Sequence, residues 1–596
     1  MELLEPPFSD PEAILTSRKK LRRTILASGG PFTKTKIAVL GGSTTRDIIG
    51  ALDLFLLDCG IEAEFYDSAY GSYWEEGVFG AEGLVSFKPD FTYIHTSSRN
   101  LSFPDYGAKD QDAWFDDQKS RFARLWDELD KRLGSFVIQN NFELPSFRAM
   151  GNKEASDPRG RVYLVSRLNQ FIAERAQNND KFFVNDINWL SAEFGLSKWS
   201  DPKHWYLYKY ICGPSAIPTL AFSIRNIVKA LLGKNKKAVS VDLDNTLWGG
   251  IVGDDGPEGI KIGPEGPIGQ AHLGLQQYLK DLRSIGVVLC VNSKNDMENA
   301  IAGLNHPSGV LKPDDFALIK ANWEPKSENL LNTASELGLL PESFVFIDDN
   351  PAERALVKAQ GGGALAPDLT DPEKYVIELD RLGLFEATTL SKEDMRRSLL
   401  YKEEAKRTEL RKSSGSYEEF LASLDMRSNI SPINPMTAQR STELVNKSNQ
   451  FNLTTLRCAQ ARMDEWSKSD THLALSADLE DKIGNHGLVS VVVGEFKDHD
   501  FHVLIWVMSC RVLKRRLEEA VLDKLVDLCK EKGAKAIIGY FYPTKKNSMV
   551  KEFYPSMGFS LQSEDEEKNT AWVLDVSSHV SKAPPIRAAG GESGCN

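Results

Sequence analysis

Cysteine is scarce and unpatterned in this chain. Its seven residues (Cys59, Cys212, Cys290, Cys458, Cys510, Cys529 and Cys595, among 596 positions) contain no Cys-x-x-Cys pair. That excludes a zinc ribbon and points to reduced thiols in the cytoplasm. No apolar run reaches membrane-spanning length, and Met1-Glu-Leu-Leu-Glu-Pro lacks the pattern of a secretory signal, so neither a membrane span nor export is expected. Internal repeats are also missing. Basic residues are outnumbered, 72 Lys and Arg against 84 Asp and Glu. The net charge of −12 argues against nonspecific binding of nucleic acid, although a local basic patch stays open. What is present is ordinary for a globular chain: 41% hydrophobic and 26% charged residues, with length enough for about four domains. A soluble, intracellular, multidomain enzyme is expected.

Chemistry concentrates between residues 239 and 351. Val239-Ser-Val-Asp-Leu-Asp-Asn-Thr-Leu-Trp-Gly-Gly carries an apolar strand into Asp242, Asp244 and Thr246 at alternate positions, then into a glycine-rich turn. Two carboxylates at one strand end repel each other unless a cation offsets them, and hard oxygen ligands suit Mg²⁺. A carboxylate nucleophile beside a proton-shuttling carboxylate is an arrangement for phosphoryl transfer. Three later words support this reading. Leu289-Cys-Val-Asn-Ser-Lys-Asn295 offers Ser293, with Lys294 beside it, as a phosphate contact. Trp323-Glu-Pro-Lys-Ser327 puts Lys326 at a helix start, where an ammonium can hold phosphate and nucleophile together. Phe344-Val-Phe-Ile-Asp-Asp-Asn-Pro351 ends a third buried strand in Asp348 and Asp349.

Along the chain, residues 1–34 read as an N-terminal arm, 35–232 as a first α/β domain and 233–390 as the phosphate-handling α/β domain. Residues 391–414 read as a charged linker helix with Ser391 and Asp394 spaced as an N-cap pair, 415–578 as an α+β domain, and 579–596 as a disordered Gly/Pro-rich tail. Strands are expected at Lys36–Leu40, Phe91–His95, Ser135–Gln139, Gly487–Gly494 and Phe501–Met508. Helices are expected at about Ala113–Leu133 and Lys514–Lys532. About fifty residues separate Asp244 from Ser293, and about thirty separate Ser293 from Lys326, which leaves no room for a large cap domain over the strand ends. An uncapped site suits a bulky or macromolecular partner.

The order acid, hydroxyl, lysine, acid is the signature of the haloacid dehalogenase superfamily. Within it the chain resembles the FkbH-like proteins, through Asp242-Leu-Asp-Asn-Thr-Leu-Trp-Gly-Gly-Ile-Val-Gly, Ser293-Lys-Asn-Asp, Asn322-Trp-Glu-Pro-Lys-Ser-Glu-Asn329, Phe346-Ile-Asp-Asp-Asn-Pro-Ala-Glu-Arg354, Asn449-Gln-Phe-Asn-Leu-Thr454 and Met508-Ser-Cys-Arg-Val512. The resemblance implies a Mg²⁺-dependent phosphatase and glyceryl transferase. Such an enzyme takes 1,3-bisphosphoglycerate, removes both phosphates and loads the glyceryl unit on the phosphopantetheine thiol of an acyl carrier protein, in polyketide-type biosynthesis. It further implies Asp242 as nucleophile, Asp244 as general acid/base, and Thr246, Ser293, Lys294 and Lys326 around the phosphate. Mg²⁺ would sit on Asp242, the Asp244 backbone carbonyl, and Asp349 or Asp348. The plain phosphatase of the same superfamily is the alternative, and a carrier-binding scaffold with a degenerate site is a third class, disfavoured by the intact motif set.

The glyceryl route needs a thiol. Family members often carry cysteine just before Ser-Lys-Asn, where this chain has Asn292. Cys510, beside Arg511 and ahead of Lys514, Arg515 and Arg516, is one candidate, because nearby cations favour thiolate. Cys290, two positions before Asn292 on the strand, is the other. The 415–578 segment resembles the GNAT acyltransferase fold, with Lys514 and Arg516 standing where a pyrophosphate-binding turn has glycine. Residues 35–232 resemble the SGNH hydrolase fold, with Gly-Gly-Ser in place of Gly-Asp-Ser. That resemblance implies a triad of Ser43, Asp201 and His204, with Asn140 or Asn141 in an oxyanion hole. The expected fold class is therefore multidomain α/β: a central Rossmannoid haloacid dehalogenase-like parallel sheet flanked by an SGNH-like α/β domain and a GNAT-like α+β domain.

Overall fold

The structure, a computed structural model, describes residues 6, 8, 10–27, 32–107, 110–390, 400–401, 403, 406–407, 410–411, 413–448, 451–458, 460–509, 512–544 and 547–588. Cys510, Arg511, Cys595, Ser391 and Asp394, and much of the expected 391–414 helix, lie outside the described residues.

In the first domain five strands, β1 (Thr33–Gly41), β2 (Ile61–Asp67), β3 (Phe91–His95), β4 (Phe136–Asn140) and β5 (Phe182–Asn185), form a parallel sheet in the order β2-β1-β3-β4-β5. Period-two alternation sends the β1 side chains to opposite faces. Ile37 and Val39 pack with helices Arg46–Asp58 and Ile217–Leu231, while Ala38 and Leu40 pack with Gln111–Leu133 and Arg161–Gln177. Sequence reading misses β2 and β5. In β2 the edge position tolerates Glu62 and Glu64, which break the apolar pattern, and β5 is only four residues long. The expected N-terminal arm is instead part of this domain: helices Pro11–Thr16 and Arg18–Ala27 bury Ile14 and Ile25 in its core.

The second domain has four parallel strands, β6 (Ala238–Val241), β7 (Val288–Ser293), β8 (Leu318–Ala321) and β9 (Phe344–Ile347), in the order β8-β7-β6-β9. Strands β6, β7 and β9 are buried on both faces, which is why they read as largely apolar runs, while the edge strand β8 is only partly buried. Lys229 Nζ of the first domain donates to the Gly383 carbonyl at 2.6 Å, and Arg381 pairs with Glu193 at 2.6 Å, so the two domains share an interface.

The third domain is a mostly antiparallel sheet: β10 (Met426–Ser428), β11 (Ile430–Pro432), β12 (His472–Glu480), β13 (Asn485–Lys497), β14 (Asp500–Met508), β15 (Ala536–Phe541), β16 (Ser560–Glu564), β17 (Thr570–Asp575) and β18 (Ile586–Ala588). The order is β16-β17-β15-β14-β13-β12-β10-β18, with β11 on β12. Helix Leu517–Glu531 covers one face. Strands β14 and β15 run parallel only over Asp500–His502 and Ala536–Ile538, then splay. The chain's own Leu453 fills the gap, donating its amide to the Trp506 carbonyl at 3.3 Å and accepting from the Tyr542 amide at 2.8 Å. Lys514 and Arg516 hold φ of 65° and 64°, so the backbone keeps the left-handed turn glycine would favour, at a cost of about 1 kcal/mol each. The expected disordered tail needs correcting as well. Within it β18 pairs in parallel with β10 and His579 reaches Asp523 at 2.7 Å, while residues 589–596 lie outside the described residues. Arg407 ties the segment before this domain to it through a bidentate bond to Asp481, at 2.7 and 2.8 Å. Among the described residues, no helix is long and apolar enough to cross a membrane.

Candidate active site

The parallel order of the second domain brings the C-terminal ends of β6, β7, β8 and β9 to one edge, where open α/β sheets bind ligands. Asp242 leaves β6, Ser293 closes β7, Lys326 starts the helix after β8, and Asp348 leaves β9. Lys326 Nζ sits between two carboxylates, 3.0 Å from Asp242 Oδ2 and 2.6 Å from Asp348 Oδ2. All three side chains are buried. Burial works to lower the ammonium pKa, but the charges of Asp242 and Asp348 outweigh it and the net direction is up. Burial, with the Asp242 charge adding to it, pushes Asp348 up to about 6 against the pull of Lys326. Asp349 is raised for the same first reason, burial.

Asp242, Asp348 and Asp349 each offer an oxygen, and these three atoms lie within 4.8 Å of one another. Asp242 Oδ1 is buried with no hydrogen-bond partner. A buried carboxylate oxygen left unpaired is costly unless something else binds it. Hard oxygen donors at this spacing fit a divalent cation.

Asp244 points elsewhere. Its Oδ1 accepts from Trp248 Nε1 at 2.9 Å and the Val252 amide at 3.0 Å, and its Oδ2 accepts from Asn295 Nδ2 at 2.9 Å. Burial raises its pKa, which suits a group that must carry a proton. Asn245, at φ 54°, makes the turn that separates the two aspartates, a conformation asparagine tolerates better than most residues.

Several expected roles change in the structure. Thr246 is fully buried and serves Asp349: its Oγ1 accepts from the Asp349 amide at 3.1 Å and lies 3.4 Å from Asp349 Oδ1. In these contacts it positions an acid. Lys294 is drawn to Glu353 at 2.6 Å, so its charge is already engaged. Cys290 does not fit a nucleophile. It lies at 0% exposure in a core with Leu330, Phe344 and Phe346, and burial pushes its thiol up to about 12. Three residues given no role on sequence grounds belong to the site. Asn295 and Trp248 orient Asp244, and Arg354 Nη1 donates to the carbonyls of Asp348 and Asp349 at 2.8 Å each. Arg354 is the last residue of the Asp-Asp-Asn-Pro-Ala-Glu-Arg word, which was its only signal. Asn292 holds the Lys326 carbonyl at 2.8 Å through Nδ2.

In the first domain His204 Nδ1 and Asp201 Oδ2 meet at 2.7 Å. Asp201 also caps its own helix by accepting from the His204 amide at 3.1 Å. Ser43 follows β1, but its Oγ is buried without a partner, so it is not bonded to His204. The oxyanion-hole expectation fails on placement. Asn140 is fully buried and braces the sheet, taking bonds from Tyr93 at 3.1 Å and Asn185 at 2.7 Å and giving one to the Thr96 carbonyl at 3.1 Å. Asn141 is used by Asp186 and the Asn188 amide.

Comparison with known proteins gives the site its context. Residues 36–229 match the model of the FkbH N-terminal domain. No curated protein matches. Among solved structures, the N-terminal part of the protein BF1531 from Bacteroides fragilis, containing a phosphatase domain complexed with Mg, is 30% identical, with a TM-score of 0.58, 62% of this chain covered and 99% of that one. The ribosomal-protein-S18-alanine N-acetyltransferase of Escherichia coli is 10% identical, with a TM-score of 0.20, covering 28% of this chain and 97% of its own. A GNAT-family acetyltransferase from Staphylococcus aureus is 14% identical, with a TM-score of 0.21, covering 25% and 99%. With 30% identity over nearly the whole of BF1531's N-terminal part, this chain belongs to the same family as that phosphatase-domain protein.

Proposed function

We propose that the second domain is a Mg²⁺-dependent phosphoryl-transfer site that uses Asp242 as its nucleophile. The observation that carries this reading is the buried, unpartnered Asp242 Oδ1 beside the Lys326 ammonium. Oδ1 attacks phosphorus, the bond to the leaving oxygen breaks, and Asp244 gives that oxygen its proton. Water then attacks the aspartyl-phosphate, Asp244 takes the water's proton, and free phosphate leaves with the Asp242 carboxylate restored. Lys326 holds charge on the phosphoryl oxygens, and Ser293, at the end of β7, donates to one. Mg²⁺ on Asp242, Asp348 and Asp349, with the Asp244 carbonyl, would neutralise charge growing on those oxygens.

Because burial and the Asp242 charge push Asp348 up to about 6, a divalent cation competes increasingly with protons for these carboxylates as pH falls. The rise in melting temperature caused by Mg²⁺ is expected to be larger at pH 8 than at pH 5. Equal shifts at the two pH values would mean that these carboxylates do not hold the ion.

A second, finer reading is glyceryl transfer from 1,3-bisphosphoglycerate to an acyl carrier protein, which the FkbH N-terminal domain favours. Its thiol cannot be Cys290. Cys290→Ala is expected to leave phosphate release and any carrier loading intact while lowering stability by about 1 kcal/mol through the small cavity it opens. Cys510, or direct attack by the carrier's own thiol, are the routes this reading keeps. Intact-mass measurement of a holo carrier protein incubated with the enzyme, Mg²⁺ and fresh 1,3-bisphosphoglycerate separates the two readings. A glyceryl adduct supports transfer, and phosphate without an adduct supports the plain phosphatase.

A further inference from the structure

The turn that leaves β6 is gripped from behind by a single helix. Helix Pro267–Ser284 carries His272 and Gln276 one turn apart on the same face, both buried. They reach consecutive carbonyls of the turn. His272 Nδ1 lies 2.8 Å from the Thr246 oxygen, and Gln276 Nε2 donates to the Leu247 oxygen at 2.8 Å. Gln276 Oε1 accepts in turn from the amides of Val310 and Leu311, at 2.9 and 3.0 Å. A carbonyl can only accept, so His272 carries its hydrogen on Nδ1. Burial lowers the His272 pKa against the opposing effect of this bond, which favours the neutral ring.

The two gripped carbonyls lie between the acids of the site. Thr246 Oγ1 accepts from the Asp349 amide at 3.1 Å, and Trp248, the residue after Leu247, donates from Nε1 to Asp244 Oδ1 at 2.9 Å. Thr246, Leu247 and Trp248 are all fully buried. A buried carbonyl that loses its donor is costly, and its peptide plane turns toward another partner. The Thr246 hydroxyl and the Trp248 indole would turn with it. Ser293 and Lys326 come from other segments and do not depend on this grip.

We propose that His272 is a positioning residue of the catalytic turn. Through the Thr246 carbonyl it fixes Asp349 for Mg²⁺ and, together with Gln276, fixes Trp248 and so Asp244 for proton transfer. The inference rests on the phosphoryl-transfer reading of the site and deepens it. Groups one contact removed from a metal ligand act in this way, by orienting it.

The test uses the full chain with His272→Leu, His272→Gln and His272→Asn. Asparagine puts an amide nitrogen where Nδ1 stands, glutamine puts it one carbon farther out, and leucine fills the space without a donor. Mg²⁺ binding is read without substrate, from the rise in melting temperature across a Mg²⁺ titration. Turnover of p-nitrophenyl phosphate supplies kcat and KM. Leucine and glutamine should weaken Mg²⁺ binding and lower kcat by about 10–100-fold. KM should change little, because Ser293 and Lys326 still hold the phosphate. Asparagine should keep Mg²⁺ binding and kcat near wild type even though it melts lower, having lost the packing of the ring. A purely structural role would lower melting temperature without ordering the Mg²⁺ affinities by donor. If the leucine variant does not fold, glutamine against asparagine makes the same comparison. Wild-type Mg²⁺ binding and turnover in the leucine or glutamine variant would overturn the proposal, as would an asparagine variant that binds Mg²⁺ as weakly as they do. Mg²⁺ binding that follows the donor, with no phosphate released even by wild-type protein, would keep the positioning role and overturn the phosphoryl-transfer reading.

Discussion

Asp242→Asn is expected to remove phosphate release by on the order of 10⁴-fold or more, the scale at which an essential nucleophile fails. Asparagine keeps the shape of the side chain but offers a neutral amide in place of the carboxylate oxygen that must attack phosphorus. The fold should survive, because Lys326 stays paired with Asp348 at 2.6 Å. A second consequence follows from the charge removed. The Asp242 carboxylate is one cause of the raised Asp348 pKa, so in the metal-free variant Asp348 should titrate lower. The sign is fixed by linkage. An aspartate whose folded pKa is raised costs nothing below its unfolded value, near 4, and its full penalty above about 6. Metal-free wild-type protein should therefore lose stability as pH rises through that window, and Asp242→Asn should lose less. Phosphate release and melting temperature between pH 4 and pH 7 check both halves. Retained phosphate release would remove Asp242 from the mechanism, and an unchanged pH profile would remove its coupling to Asp348.

The catalytic edge was legible because its parts are words at strand ends. Apolar runs that stop at Asp242, Ser293 and Asp348 mark strands buried on both faces, and parallel order then carries the ends to one side whatever the loops do. What escaped the sequence was the second layer of contacts. Asn295 and Lys294 are neighbours in one polar word, yet Asn295 orients Asp244 while Lys294 turns to Glu353. Cys290 and Asn292 share a side of β7, but two residues along the strand separate a packed core from the polar edge. Nothing in the local pattern tells one from the other, because the difference is made by the helix starting at Lys326. The first domain teaches the same lesson. Asp201 and His204 meet because helical spacing brings them together, whereas Ser43 and Asn140 answer to the packing of distant strands. The splay between β14 and β15 was invisible for another reason: the segment that fills it lies about fifty residues earlier in the chain.

Lys326→Met is expected to be the most destabilising single change in the site. The lysine is 4% exposed and neutralises Asp242 and Asp348, themselves 6% and 0% exposed. Methionine keeps most of the stem volume, so the loss isolates charge from packing. Removing one member of a buried ionic cluster costs about 3–5 kcal/mol, because the partners are left uncompensated. The cost should depend on pH in a definite direction. The folded lysine pKa is raised, so its charge is constant across pH 5 to 8 and contributes no slope there. The carboxylates supply the slope: at pH 5 Asp348 can take a proton and escape the penalty, and at pH 8 it cannot. The variant should therefore fall further below wild type at pH 8 than at pH 5. Mg²⁺ should recover part of the deficit at pH 8, where it replaces the missing positive charge between the carboxylates, yet it should not recover turnover, which needs the ammonium on the phosphoryl group. Denaturant melts at both pH values, with and without Mg²⁺, read against phosphate release, make the comparison. A deficit that ignores pH and Mg²⁺ would mean that Lys326 acts through packing alone, and the electrostatic account of this site would fall with it.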